Sequence, residues 1–538
     1  MFAIEQTVPR LLLTFRLTSL QGVTQRGRKT PPLHVLCTGS SSGRNKRRSM
    51  HVNRESRQLG PAERGAALHI HPARWLRCAT AFATMLGSAS TWAAPMTQPL
   101  ESIEALSQRW VPGPVAYAVL STMAALLAMI ILVMMVYATR HGVLTLNRLL
   151  GHQRHPYLDI DQADWPLITV FIAAHNEEQV IAGCLQALLD TNYPLDRLKV
   201  VPVNDRSTDG TRAIIDDWVG RYPGRIVPFH RTKGKPGKAA ALKDALQHAQ
   251  GDIVIIFDAD YVPGRGLLKQ LVAPFFDPEV GAVMGRVVPV NTGVNLLTRM
   301  LDLERSGGYQ VDQQARMNLR LVPQYGGTVG GVRCSALAAV GGWHDDTLAE
   351  DTDITYRLLL NGWKTVYTNR SECYEEVPQD WQVRIKQIKR WAKGHNQVMV
   401  RYGLRFAFSP YLSWRERLDG LLLLCVFVLP PLLLVGWLLA LGLYFFNAGD
   451  MLTGLISLFA LMAYGTLGNF AAFFEIAVAV LLDGKRRRLR LLPLSLLGFV
   501  ISLFAISSSV WGQLMDKLLR RDMVWDKTVR YRQPSVEQ

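Results

Sequence analysis

Apolar and polar positions alternate in short blocks between residues 150 and 400, and run in long apolar stretches on either side. Residues 115–137 are almost uninterrupted apolar sequence, enough to cross the ~30 Å hydrocarbon core of a bilayer. Arg140 and His141 follow, so the 114–138 helix is expected to end on the cytoplasmic side. Stretches 421–446, 452–482 and 491–512 repeat the pattern, giving about three helices within 420–515 ahead of a basic tail, 516–538. Lys485-Arg486-Arg487-Arg488 should be cytosolic. Three plain crossings would put the basic tail outside, against the positive-inside tendency. Either one stretch is re-entrant or interfacial near Pro493, or 452–482 is more than one helix. Asn469 and Glu475 mark helix-pairing positions or a polar path.

The middle of the chain has the period of an α/β domain. Strands are expected at 168–174, 198–203, 226–229, 253–257 and 282–288, with helices at 177–190, 208–219, 238–249 and 267–275. Such alternation predicts a mostly parallel sheet covered by helices on both faces. The 150–400 region should close with an interfacial helix as it reaches the membrane.

Composition changes this picture mainly at the N-terminus. Residues 1–73 lack a sustained period and include Arg44-Asn45-Lys46-Arg47-Arg48. They are read as a disordered extension, or as sequence upstream of the true start, with Met50 or a later Met as that start. Residues 74–95 have a basic flank, a short apolar core and a small-residue end, the pattern of a signal peptide; a weak transmembrane helix is the alternative. The net charge of +17 invites a nucleic-acid reading. Much of it flanks apolar stretches, however, and no basic stripe with interleaved aromatics appears in the middle region, so no nucleic-acid partner is expected. Six scattered cysteines without C-x-x-C spacing suit a reducing compartment.

The chemistry gathers at predicted strand ends. An apolar run, Ile253–Phe257, terminates in Asp258-Ala259-Asp260. Side chains at i and i+2 of an extended segment point the same way, so Asp258 and Asp260 should converge at a strand's carboxyl end, where open α/β sheets bind ligands. Two hard oxygen donors suit Mg²⁺ or Mn²⁺ shared with a phosphate-bearing partner; a simple turn would also use Asp. Ala173-Ala174-His175-Asn176-Glu177-Glu178 closes one strand and Asn204-Asp205-Arg206-Ser207-Thr208-Asp209-Gly210-Thr211 another. Asp205 is suited to accept hydrogen bonds from a base or ribose. Lys233-Gly234-Lys235-Pro236-Gly237-Lys238 is a basic, glycine-containing loop ahead of a helix, able to approach a diphosphate. Glu350 and Asp351 either cap the following helix or supply a general base. Gln387, Arg390 and Trp391 share one helix face, where Arg can clamp a diphosphate and Trp can offer a sugar platform.

Asp205 in N-D-R-S-T-D-G-T, Asp258-x-Asp260, Glu350-Asp351 and Gln387-x-x-Arg390-Trp391 occur in this order. Together, over about residues 115–515, they resemble the processive membrane-embedded family 2 glycosyltransferases, such as cellulose, hyaluronan and poly-N-acetylglucosamine synthases. Lys238 and Tyr325-Gly326-Gly327-Thr328 match further stretches of that family. The resemblance implies a Rossmann-like, GT-A-type cytosolic domain inserted between transmembrane helices. It implies that Asp205 and Asp258 contact uridine, Asp260 with Asp258 holds the metal, and Lys238 and Arg390 neutralise the leaving UDP. Asp351 would be the base, beside Glu350, and Gln387 and Trp391 would meet the substrate. Two departures stand out: Ala349 precedes Glu-Asp where Thr or Ser is usual, and His175 stands where Tyr is frequent. No cyclic-di-GMP-binding domain is expected after residue 516.

The expected activity is inverting transfer from UDP-glucose or UDP-N-acetylglucosamine to a growing β-linked polysaccharide, extruded across the inner membrane. The alternatives are transfer of one sugar to a membrane lipid, or a silent scaffold of an export complex. Export or polymer-modifying proteins are possible partners.

Overall fold

A computed structural model describes residues 113–155, 164–445 and 468–519. The expectations for 1–73, 74–95, 446–467 and most of the basic tail lie outside the described residues. Eight strands form one sheet in the order β3-β2-β1-β4-β7-β6-β8-β5. They are β1 (Ile168–Ala174), β2 (Leu198–Asp205), β3 (Phe229–Arg231), β4 (Ile253–Asp258), β5 (Val262–Pro263), β6 (Val280–Pro289), β7 (Gly330–Arg333) and β8 (Lys364–Glu375). β1, β2, β3 and β4 run parallel, so their carboxyl ends share one edge. β7 is antiparallel to both β4 and β6, which makes the sheet mixed rather than simply parallel. Val170, Phe171, Ile255 and Ile256 are fully buried; continuous apolar runs fit a sheet covered on both faces.

Local chemistry explains where elements depart from the periodic pattern. Of the 226–229 stretch, Ile226 makes only isolated bridges to Val200 and Pro223, because Pro228 has no N–H for a ladder; β3 starts at Phe229. The helix expected from 208 starts at Thr211, since Asp209 accepts hydrogen bonds from the Thr211 backbone (3.1 Å) and hydroxyl (2.6 Å). The helix expected from 177 starts at Ile181. Its approach is tied to the β2 loop: Asn176 accepts from Thr208 N–H at 2.7 Å and Glu178 from Gly210 N–H at 2.6 Å.

Among the described residues, three helices are long and apolar enough to cross a membrane: Pro114–Leu150, Val426–Leu443 and Arg486–Leu518. A shorter apolar helix covers Ala471–Leu482, where Glu475 pairs with His141 at 2.5 Å, a helix-pairing contact. Between the sheet domain and the last membrane-length helix runs a 27-residue helix, Trp381–Ala407. The last helix holds it through Ser509 donating to Lys389 O at 3.0 Å and Gln513 donating to Lys393 O at 3.0 Å.

Buried ion pairs join the first membrane helix to the domain. Arg140 donates to Asp419 at 2.7 Å and faces Asp312 at 3.6 Å; Arg316 pairs with Asp312 at 2.5 Å. Removing one member of a buried charge group strands the others, at about 3 kcal/mol or more. Asp419→Ala should therefore lower the unfolding temperature of the detergent-solubilised protein clearly, and an unchanged midpoint would refute this role for the network.

Candidate active site

The carboxyl ends of β1, β2 and β4 open into a cavity of about 570 Å³. Asp205, Lys238, Asp258, Asp260, Glu350, Asp351, Gln387, Arg390 and Trp391 all line it. Every side chain singled out for chemistry thus reaches one space, although the segments are far apart in sequence. The backbone at its rim is constrained: Asn176, Arg206 and Val329 have φ of 54°, 57° and 49°, a region that non-glycine residues rarely adopt.

On the β2 side, Asp205 is buried and already held. Its carboxylate accepts from Arg206 and Arg231, each at 2.9 Å, and from Gly237 N–H at 3.1 Å. Burial opposes its charge, but these three donors outweigh burial and keep its carboxyl below the ordinary range. Asp205 therefore also pins the loop that presents Lys238, the first residue of the Lys238–Ala245 helix.

Lys238 lies between the two acidic segments, 2.6 Å from Asp258 and 3.7 Å from Glu350. Burial disfavours the ammonium, yet Asp258 and Glu350 outweigh it and raise its pKa. Asp260 is 2% exposed. Asp258 and Asp260 offer two hard oxygens of the sort Mg²⁺ or Mn²⁺ takes. Among the described residues no cluster of three His, Cys, Asp or Glu forms a closed metal site, which leaves coordination positions for water or a phosphate oxygen. The donor set fits such an ion.

Glu350 and Asp351 open the Glu350–Leu360 helix. Burial raises the pKa of both; Lys238 pulls each down, and Asp351 adds repulsion at Glu350. The Tyr325-Gly326-Gly327-Thr328 turn backs this pair. Gly327 has φ +71°, and a Cβ there would stand 2.9 Å from the Asp351 Cβ, so only glycine suits both backbone and space. Thr328 accepts from Asp258 N–H at 3.1 Å, which ties the same turn to β4.

The Trp381–Ala407 helix roofs the cavity with Gln387, Arg390 and Trp391. Gln387 accepts from Arg384 at 2.8 Å. The Trp391 ring has the Arg305 and Arg384 guanidinium carbons 5.3 and 5.2 Å from its centroid, so cations brace the expected sugar platform. Arg305 is itself held by Glu375 at 2.5 Å. Arg305, Tyr309, Gln324, Glu375, His395, Leu423 and Phe427 line the cavity too and have no motif of their own. Only His395 had a sequence signal, four residues beyond Trp391 on the same helical face.

Comparisons with known proteins find glycosyltransferases. Residues 166–394 match the family described as Glycosyltransferase like family 2. The chain is 32% identical over 244 residues to the probable glycosyltransferase YdaM of Bacillus subtilis, covering 45% of this chain and 58% of that one. It is 34% identical over 261 residues to the beta-monoglucosyldiacylglycerol synthase of Synechocystis, covering 48% and 54%. The chain thus spans little more than half the length of these relatives. The mannosyltransferase PcManGT from Pyrobaculum calidifontis, solved with GDP-Man and Mn2+, aligns over 67% of this chain and 98% of its own, with 24% identity and a TM-score of 0.47. Residues 166–394 are thus similar to glycosyltransferase family 2 and have a GT-A-like mixed α/β fold, carried among helices of membrane-spanning length.

Proposed function

We propose that the chain is a membrane-embedded, inverting glycosyltransferase that uses a UDP-sugar, glucose or N-acetylglucosamine, to extend a β-linked polysaccharide. The domain would work at the cytoplasmic face of the inner membrane, with the polymer passing outward. One observation carries the reading: diphosphate-binding candidates and a candidate base line the same cavity. Asp205 and Asp258 would receive the nucleoside. Lys238 and Arg390 would take the negative charge of the leaving diphosphate, and oriented cations in a water-poor site do this without reorganisation. A Mg²⁺ or Mn²⁺ ion held by Asp260 with Asp258 would supply further charge neutralisation there. Asp351 would remove the proton of the acceptor hydroxyl as it attacks the anomeric carbon from the side opposite the diphosphate, inverting the centre. Glu350 would keep Lys238 between the two acidic segments, and Gln387 and Trp391 would position the sugar.

A second reading, transfer of one sugar to a lipid hydroxyl, is favoured by Leu423 and Phe427, apolar residues at the membrane side that line the same cavity. The relative named beta-monoglucosyldiacylglycerol synthase also supports it. Inverted vesicles given labelled UDP-sugar separate the two, because polymer elongation gives high-mass product and the second reading only glycolipid.

Asp351→Asn should lower kcat by about 100-fold or more with the donor KM little changed; turnover at the wild-type rate would remove the base assignment. Since the raised pKa of Asp351 keeps it protonated to higher pH, activity should rise with pH along an acidic limb lying above the ordinary carboxylate value of about 4. That limb is read from kcat/KM against pH, and a limb at or below this value contradicts the assignment. EDTA should abolish UDP release and Mg²⁺ or Mn²⁺ restore it, whereas Asp260→Asn should not recover with either ion at ordinary concentrations.

A further inference from the structure

The roof helix also touches the acid pair directly. Positions 387, 391, 394, 395 and 398 fall on one helical face, and this face continues past the cavity onto the segment before Glu350. At Gly394 the contact is backbone-close: a Cβ there would lie 2.6 Å from the Ala349 Cβ and 2.8 Å from Ala349 N. Gln397 accepts from Leu348 N–H at 3.0 Å. Between these contacts, His395 meets Thr352, the neighbour of Asp351.

Thr352 is fully buried, and its hydroxyl has three polar neighbours. The Gln324 amide donates to it at 3.0 Å, His395 Nε2 lies 3.1 Å away, and Asp351 Oδ1 lies 3.3 Å away. The same Asp351 oxygen accepts from Thr352 N–H at 2.6 Å. A hydroxyl has one proton to give, so it goes to His395 or to Asp351. Burial pushes the His395 imidazole down to about 4, so the ring is neutral near pH 7 and one nitrogen carries a lone pair able to accept. Nδ1 is buried without a hydrogen-bond partner among the described residues; Nε2 faces the Thr352 hydroxyl, nearer than the Gln324 amide nitrogen at 3.5 Å. Phe427 holds the ring edge-on, with centroids 4.9 Å apart.

We propose that His395 is a positioning residue that accepts the Thr352 hydroxyl hydrogen bond and so keeps an Asp351 Oδ1 lone pair available for the proton of the acceptor hydroxyl. This rests on Asp351 being the base. Without an acceptor at 395, the Thr352 hydroxyl turns to Asp351, adds a second donor to Oδ1 and weakens it as a base. Phe at 395 keeps the ring but offers no acceptor. Gln places a carbonyl oxygen near the position of Nε2.

The test uses the full chain in membrane vesicles, with nucleoside diphosphate release measured: UDP from UDP-glucose or UDP-N-acetylglucosamine, GDP from GDP-mannose. His395→Phe should lower kcat by about 10- to 100-fold with the donor KM within threefold of wild type. His395→Gln should recover most of the rate. In a Thr352→Val background the His395→Phe penalty should largely vanish, because the hydroxyl that it misdirects is gone. Wild-type kcat in His395→Phe beside an inactive Asp351→Asn overturns this proposal alone. Loss of donor binding in His395→Phe, no rescue by Gln, or full additivity with Thr352→Val also overturns it, leaving His395 a packing residue. An active Asp351→Asn, or no turnover by wild type with any of the three donors, overturns the proposed function together with this inference.

Discussion

The site depends on a cation shared between carboxylates from different parts of the chain. Asp258 ends β4, Glu350 starts a helix far along the sequence, and the Lys238 ammonium reaches both. Acids gathered in a poorly solvated cavity repel one another, and bringing them together is tolerable only with compensating charge nearby. Lys238 provides it. Asp205 controls this ammonium indirectly, since its carboxylate binds the Gly237 N–H at 3.1 Å just before the lysine.

The cavity is part of the membrane attachment rather than a separate module beside it. Asp312 and Arg316 line it and also join the ion-pair group that reaches Arg140 and Asp419. Asp483, after the Ala471–Leu482 helix, accepts from Arg286 on β6, Ser306 and Gln310. Gly307–Gln313 is a π-helical turn between these contacts, a form that recurs at functional sites. Movement of the membrane helices would therefore be felt at the cavity wall through directional bonds, not only through apolar packing.

The roof helix sets a similar constraint from above. Its Arg390 and Trp391 turn lies next to Gly394, His395 and Gln397, which dock on the segment carrying the acids. Cavity-lining side chains of the roof and the segment carrying Glu350 and Asp351 are thus held by one helix, the arrangement that favours reproducible geometry between them.

Much of this was already legible in the chain itself. Buried parallel strands read as continuous apolar runs, so β1, β2 and β4 and the polar residues at their ends stood out, as did the membrane-length stretches and the Gln387–Trp391 face. Other features depended on contacts between distant segments. β7 is glycine-rich, with Gly330 and Gly331, and such residues carry little strand signal; only its antiparallel pairing with β4 and β6 makes it a strand. Arg305 over Trp391, and His395 against Thr352, follow no spacing rule, because each contact joins elements separated by whole strands and helices. Period and composition report what each segment buries, while the tertiary structure decides which buried segments meet, and so which proton or charge each polar side chain faces.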